Sequence, residues 1–167
     1  MARLALDAMG GDHAPHATVA GALLALGELD PSHTIQLVGR TAVIESTLAG
    51  LLGGEFAHVD GARGRVEVIE APDVVEMNER ASAVLRRPNS SMALGLRLQA
   101  DGRSDAFVSA GNTGAQMAAS MLILRLHAGL QRPAISTLFP TARKPIVVVD
   151  SGANVDCSAA PARASAC

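Results

Sequence analysis

Four short segments carry the residue types that can do chemistry, and they share one layout. They are Asp7–His13 (DAMGGDH), Ala71–Glu76 (APDVVE), Ser109–Gly114 (SAGNTG) and Asp150–Asp156 (DSGANVD). Each is a polar, Gly-, Asn- or Asp-bearing loop that follows an apolar run with strand character. The third is the most suggestive. In Asp105–Leu126, an apolar run over Ala106–Ala110 enters the turn Gly111-Asn112-Thr113-Gly114, and a long apolar segment without Pro or Gly follows. A strand feeding such a turn into a helix N-terminus gathers unpaired N–H groups at the positive end of the helix dipole. That is a seat for a phosphate or a developing oxyanion. The plainer alternative is that these glycines only let the chain turn and pack closely.

The elements that must hold these loops repeat as strand then helix. Leu4–Leu6 reads as a short strand ending in Asp7, and Ala17–Leu29 as a helix stopped by Asp30-Pro31. Thr34–Val38 is a second strand, and Thr41 is placed to cap a helix running to about Leu52 before Gly53-Gly54. Val66–Ile69 is a third strand. Asp73 to Arg87 is expected to be partly helical, with Asp73 and Glu76 spaced as a capping pair. Ser90 or Ser91 caps the next helix, which ends at Asp101-Gly102, and Gly129 is the expected C-cap after the Thr113 segment. Arg132-Pro133 leads into Ala134–Leu138. Ile146–Val149 is an unbroken β-branched run of the kind that suits a strand covered on both faces. The alternation predicts a three-layer α/β/α architecture with a mainly parallel sheet, in which all four loops leave one edge. Residues 158–167 (SAAPARASAC) have neither period and read as a disordered or out-of-frame tail after a domain spanning 1–157.

Composition narrows the function. The 167 residues are 49% hydrophobic, and 18% charged residues leave a net charge of −2, so a sizeable core is affordable and duplex-DNA binding is disfavoured. Aromatics are 2%, too few for the stacking platforms of single-strand binders. Cys157 and Cys167 form no metal spacing, the N-terminus is no signal peptide, and the longest apolar stretch, Ala118–Leu130, is broken by Arg125 and His127. A reduced, cytoplasmic setting is expected.

Individual candidates have competing readings. His13 and His16 match no metal motif; His13 is a candidate base, while Asp12 is expected to cap the following helix. Arg86 and Arg87 form either a solvated pair or, beside Ser90 and Ser91, a place to gather phosphate or an acidic partner. No G-x-S-x-G, G-x-G-x-x-G or P-loop pattern is present.

Taken together, several motifs resemble the phosphate acyltransferases of bacterial phospholipid synthesis, the PlsX family. They are Ala5–Pro15 (ALDAMGGDHAP), Arg86–Met92 (RRPNSSM), Ser109–Ala115 (SAGNTGA), Arg132-Pro133-Ala134 and Gly152–Cys157 (GANVDC). The resemblance spans nearly the whole chain up to Cys157, although members of that family run to about twice this length. It implies a fold similar to the phosphotransacetylases and isopropylmalate dehydrogenases, incomplete at the C-terminus, and a chain matching the N-terminal half, read through a truncated or shifted frame.

The resemblance also implies a homodimer without cofactor or metal. Inorganic phosphate would take the acyl group from acyl carrier protein, and the acyl phosphate would pass to a membrane-bound glycerol-phosphate acyltransferase at the inner face of the membrane. In that chemistry phosphate arrives already anionic, so the protein must orient it and stabilise the tetrahedral oxyanion. Asn112, with the backbone of Gly111, Thr113 and Gly114, is assigned to that task. Asp7, Gly10, Gly11, Asp12 and His13 line the cleft, Ser90 and Ser91 contact substrate, Asn154 and Asp156 complete the wall, and Arg86 and Arg87 dock the carrier protein. The rival expectations are a phosphotransacetylase or dehydrogenase on the same architecture, or an inactive fragment.

Overall fold

The computed structural model describes residues 1–59, 61–129 and 133–149. They belong to two units, Met1–Leu124 and Arg125–Cys167.

The first unit is built on four parallel strands in the order β3-β2-β1-β4. β1 is Arg3–Asp7, β2 Thr34–Gly39, β3 Val66–Glu70 and β4 Ala106–Val108. Leu6 pairs with Leu37 on one side and Val108 on the other. Alternation along these strands decides which helix covers which face. Leu6, Ile35 and Leu37 join a core with α1 (His16–Glu28) and α2 (Thr41–Leu52), where Val19, Ala22, Leu23 and Leu26 form the buried stripe of α1. Ala5 and Val38 face the other way, onto Leu98 of α4, which spans Ser91–Ala100. The short α3 (Ala83–Arg86) and α5 (Thr113–Ile123) pack beside α4 through Val84, Met92, Leu96, Ala115 and Ala119. This is the expected α/β layering, with helices on both faces of a parallel sheet.

One packing contact fixes α4 on the sheet. A Cβ placed on Gly95 would lie 2.2 Å from a ring carbon of Phe107, so only glycine lets the helix approach β4 this closely. A mid-helix glycine costs about 0.5–1 kcal/mol against alanine, and close packing on the ring offsets it.

Several sequence expectations are corrected at element ends. Asp12 does not cap α1, whose N-cap is Pro15. Thr41 is the first residue of α2 rather than its cap, and its amide is held at 2.9 Å by Glu70 from the end of β3. Between Asp73 and Arg87 only Ala83–Arg86 is helical. The acid that caps locally is Glu79, which accepts from the Glu76 amide at 2.9 Å. The helix α5 ends at Ile123 with Leu124 as its C-cap, so Gly129 is not its cap.

In the second unit, Ser136–Phe139 (β5) and Ile146–Val149 (β6) form an antiparallel hairpin, with Ser136 opposite Val149 and Phe139 opposite Ile146. Thr141 closes the connection by donating to the Lys144 carbonyl at 2.7 Å. Ile146–Val149 is therefore not a parallel strand covered on both faces; Ile146, Val147 and Val149 are exposed. A short apolar run has no period with which to tell these cases apart. Residues 158–167, expected as a tail, lie outside the described residues.

Candidate functional site

The strand order creates one special place. The chain steps outward from β1 to β2 to β3, then crosses by α4 to β4 on the opposite side of β1. Connections therefore diverge at the carboxyl ends of β1 and β4, the switch point where open α/β sheets bind ligands. Both the Asp7–His13 loop and the Ser109–Gly114 turn leave from there. The loop after β3 joins them, because the Asn112 amide nitrogen donates to the carbonyls of Met77 at 3.1 Å and Glu79 at 2.8 Å. Three of the four expected loops thus meet at one edge. The fourth, with Asp150, Asn154 and Asp156, lies outside the described residues.

Asp7 is the hub of this arrangement. It is 2% exposed at the end of β1, and its carboxylate accepts from the Ser109 hydroxyl at 2.8 Å and the Met9 amide at 3.2 Å. The Gly111 amide donates in turn to Ser109 Oγ at 3.0 Å. Burial raises the Asp7 carboxyl above the ordinary carboxylate range, while hydrogen bonds from Ser91, Ser109 and the Met9 and Gly10 amides pull it down. A Cβ on Gly10 would sit 2.6 Å from Asp7 Oδ2 and 3.0 Å from the Gly111 nitrogen. Gly10 is thus the point at which the two loops touch. Gly11 follows with a φ of 110°, a conformation that favours glycine.

The turn after β4 divides its donors. The Asn112 side chain is spent on structure: Oδ1 accepts from the Ala115 amide at 3.0 Å as the N-cap of α5, and the amide group reaches the β3 loop. This corrects the expectation that its side chain is an oxyanion donor. The Gly111 amide is likewise turned inward to Ser109. The amides of Thr113 and Gly114, at the first two positions of α5, have no acceptor among the described residues, and both residues are exposed. They lie at the positive end of the helix dipole.

Other expected site residues are sorted by burial. Ser90 is the N-cap of α4, its Oγ accepting from the Ala93 amide at 3.3 Å, and Ser91 is buried under Asp7. Neither is open to substrate, so their expected contact role is corrected to a supporting one. Arg87 is bound by Glu79, with one bond of 2.7 Å, and by the Val74 carbonyl. It is therefore a structural tie, whereas Arg86 is exposed at the end of α3. Asp12 and His13 are exposed beside the switch point.

Those two residues stand at the mouth of a cavity of about 640 Å³, shared by the Gly10–His13 loop and Ser109. Its floor includes Leu6, and one wall is the α1 face carrying Ala17, Gly21 and Ala25. A polar mouth thus opens into an apolar trough of ligand size. Ser109 and Glu79 are the residues that sequence reasoning missed. Ser109 had a signal, a small hydroxyl directly after a strand and two residues before a glycine. Glu79 had none, because its partners are set by the folded loop.

Among the described residues no helix is long and apolar enough to cross a membrane. Comparison with known proteins gives the family. The profile described as "Fatty acid synthesis protein" matches residues 2–162, and the chain belongs to that family. It is similar to the phosphate acyltransferase of Salinibacter ruber, 46% identical over 159 residues, which cover 95% of this chain and 45% of that one. It is also similar to the phosphate acyltransferases of Desulforamulus reducens (47% identity, 94% of this chain, 44% of that one) and Herpetosiphon aurantiacus (46%, 93% and 40%). The chain therefore spans less than half the length of these curated relatives.

Proposed function

We propose that this chain carries the phosphate-handling part of an acyl-transfer centre, in which inorganic phosphate takes an acyl group from acyl carrier protein to give acyl phosphate. The observation that carries the reading is the pair of amides at Thr113 and Gly114, without an acceptor among the described residues, at a switch point whose loops line an apolar cavity. The relatives are named phosphate acyltransferases, which supports phosphate and an acyl group as the reacting partners.

Phosphate rests on the Thr113 and Gly114 amides, where the helix dipole favours an anion and the backbone holds one oxygen toward the reacting carbon. That oxygen attacks the thioester carbonyl, the tetrahedral oxyanion collapses, and the carrier thiolate leaves with a proton. Gly10 and Gly11 let the substrate approach the backbone, and Asp12 and His13 border it, with the His13 imidazole in place to supply the leaving group's proton. The acyl chain enters the apolar trough along Ala17, Gly21 and Ala25, where its burial is favourable.

Arg86 meets the acidic carrier protein in a contact that weakens with salt. The active form is a homodimer without metal or cofactor, and it releases acyl phosphate to a membrane-bound glycerol-phosphate acyltransferase.

The test is acyl phosphate formation from acyl carrier protein and phosphate, trapped with hydroxylamine, against acetyl-CoA and NAD controls. Turnover of the controls alone would replace this reading with a phosphotransacetylase or a dehydrogenase. A second reading follows from the limited span of the relatives: phosphate binding without turnover would mean that the centre needs residues from outside this chain.

A further inference from the structure

We propose that Asp7 and Ser109 are a positioning pair for the anion-binding turn and do not touch the substrate. The inference rests on the phosphate-site reading above and adds to it the residues that set the turn. Asp7 is sealed beneath the loops at 2% exposure, so neither phosphate nor thioester reaches its oxygens. Its effect passes through a directed relay: the Gly111 N–H donates to Ser109 Oγ at 3.0 Å, and the Ser109 hydroxyl donates to Asp7 Oδ2 at 2.8 Å. An ionised carboxylate only accepts, and this fixes the direction of both bonds. With Gly111 drawn inward, the amides of Thr113 and Gly114, beyond Asn112, are left without an acceptor among the described residues. The same carboxylate abuts Gly10, so one buried group sets both lips of the mouth.

Among the described residues the groups recorded around Asp7 are neutral: Ser91 from α4, Ser109 and Gly111 from the turn after β4, and the Met9 and Gly10 amides from its own loop. Asp12 and His13 are the charged or titratable residues further along that loop. Burial is the largest influence on the carboxyl and works against its charge, so Asp7 weakens the fold as pH rises out of the ordinary carboxylate range. Asp7→Asn should therefore leave the melting temperature at neutral pH unchanged or raise it. It should also weaken phosphate binding by roughly tenfold, the scale of one hydrogen bond to a charged group. Ser109→Ala should weaken phosphate by a similar factor and shift the Gly111 amide resonance.

The experiment measures phosphate affinity and melting temperature for the full chain and both variants. It then follows sulfate affinity between pH 4 and 8, because sulfate keeps its charge over that range. Wild-type sulfate binding should fall as Asp7 gains a proton, and this limb should vanish in Asp7→Asn, while any His13 contribution persists in both proteins. If the wild type binds no phosphate, the site reading itself fails. If it binds phosphate and both variants bind equally well with the wild-type pH profile, the positioning role is refuted. A parallel loss of stability and affinity in both variants would also refute it, in favour of a purely structural role. If Asp7→Asn does not fold, Ser109→Ala decides by the same affinity and pH criteria.

Discussion

Gly10→Ala is the sharpest perturbation of the mouth, because its added atom falls where the two loops meet. The new Cβ would lie 2.6 Å from Asp7 Oδ2 and 3.0 Å from the Gly111 nitrogen, where ordinary contact begins at 3.4 Å. The loops must then part by 0.8 Å on one side (3.4 − 2.6) and 0.4 Å on the other (3.4 − 3.0). Gly10 is not among the glycines with positive φ, so the cost arises from space rather than from backbone conformation. Overpacking of this kind costs about 1–3 kcal/mol. Displacing the turn by a few tenths of an ångström should also weaken phosphate by several-fold, since a small misplacement of binding groups is felt directly. Urea unfolding and a phosphate titration measure the two effects. Gly21→Ala is the control: its Cβ meets nothing within 4 Å, and alanine in mid-helix should stabilise by about 0.5–1 kcal/mol. If Gly10→Ala matched Gly21→Ala in stability and left phosphate affinity intact, the reasoning about the joined loops would be wrong.

Three further outcomes follow from particular contacts. Gly95→Ala should cost at least about 1–3 kcal/mol, because the methyl group meets the Phe107 ring at 2.2 Å; a calorimetric melt checks this. Asn112→Ala should cost about 0.5–2 kcal/mol for the lost cap and more for the untied Met77 and Glu79 carbonyls, while Asn112→Asp keeps the cap acceptor and should lose less in the same melts. Gly21→Leu fills the cavity wall beside Ala17 and Ala25, so relative turnover of acyl carrier protein substrates should shift from long to short chains; an unchanged chain-length profile would place the acyl group elsewhere.

The sheet and its switch point were legible because parallel strands and amphipathic helices write their periods locally. Leu4–Leu6 against Val19–Leu26 is such a case, and the polar loops at three strand ends could be placed at one edge from topology alone. The division of labour within the turn was not legible. Whether the Asn112 amide faces a ligand or a carbonyl depends on Met77 and Glu79, more than 30 residues away, and no local pattern links them. Arg87 and Ser91 were misplaced for the same reason. A charged or hydroxyl side chain beside a loop reads as available until its partners, here Glu79 and Asp7, are seen. Ile146–Val149 marks another limit, since four β-branched or aliphatic residues specify a strand but not its partner.

The most direct measurement is a phosphate titration followed by amide resonances of the full chain. The account predicts saturable shifts largest at Thr113 and Gly114, with smaller ones at Gly10 and Gly11 and little change at the inward Gly111 amide. Saturable binding that leaves Thr113 and Gly114 unmoved would contradict it.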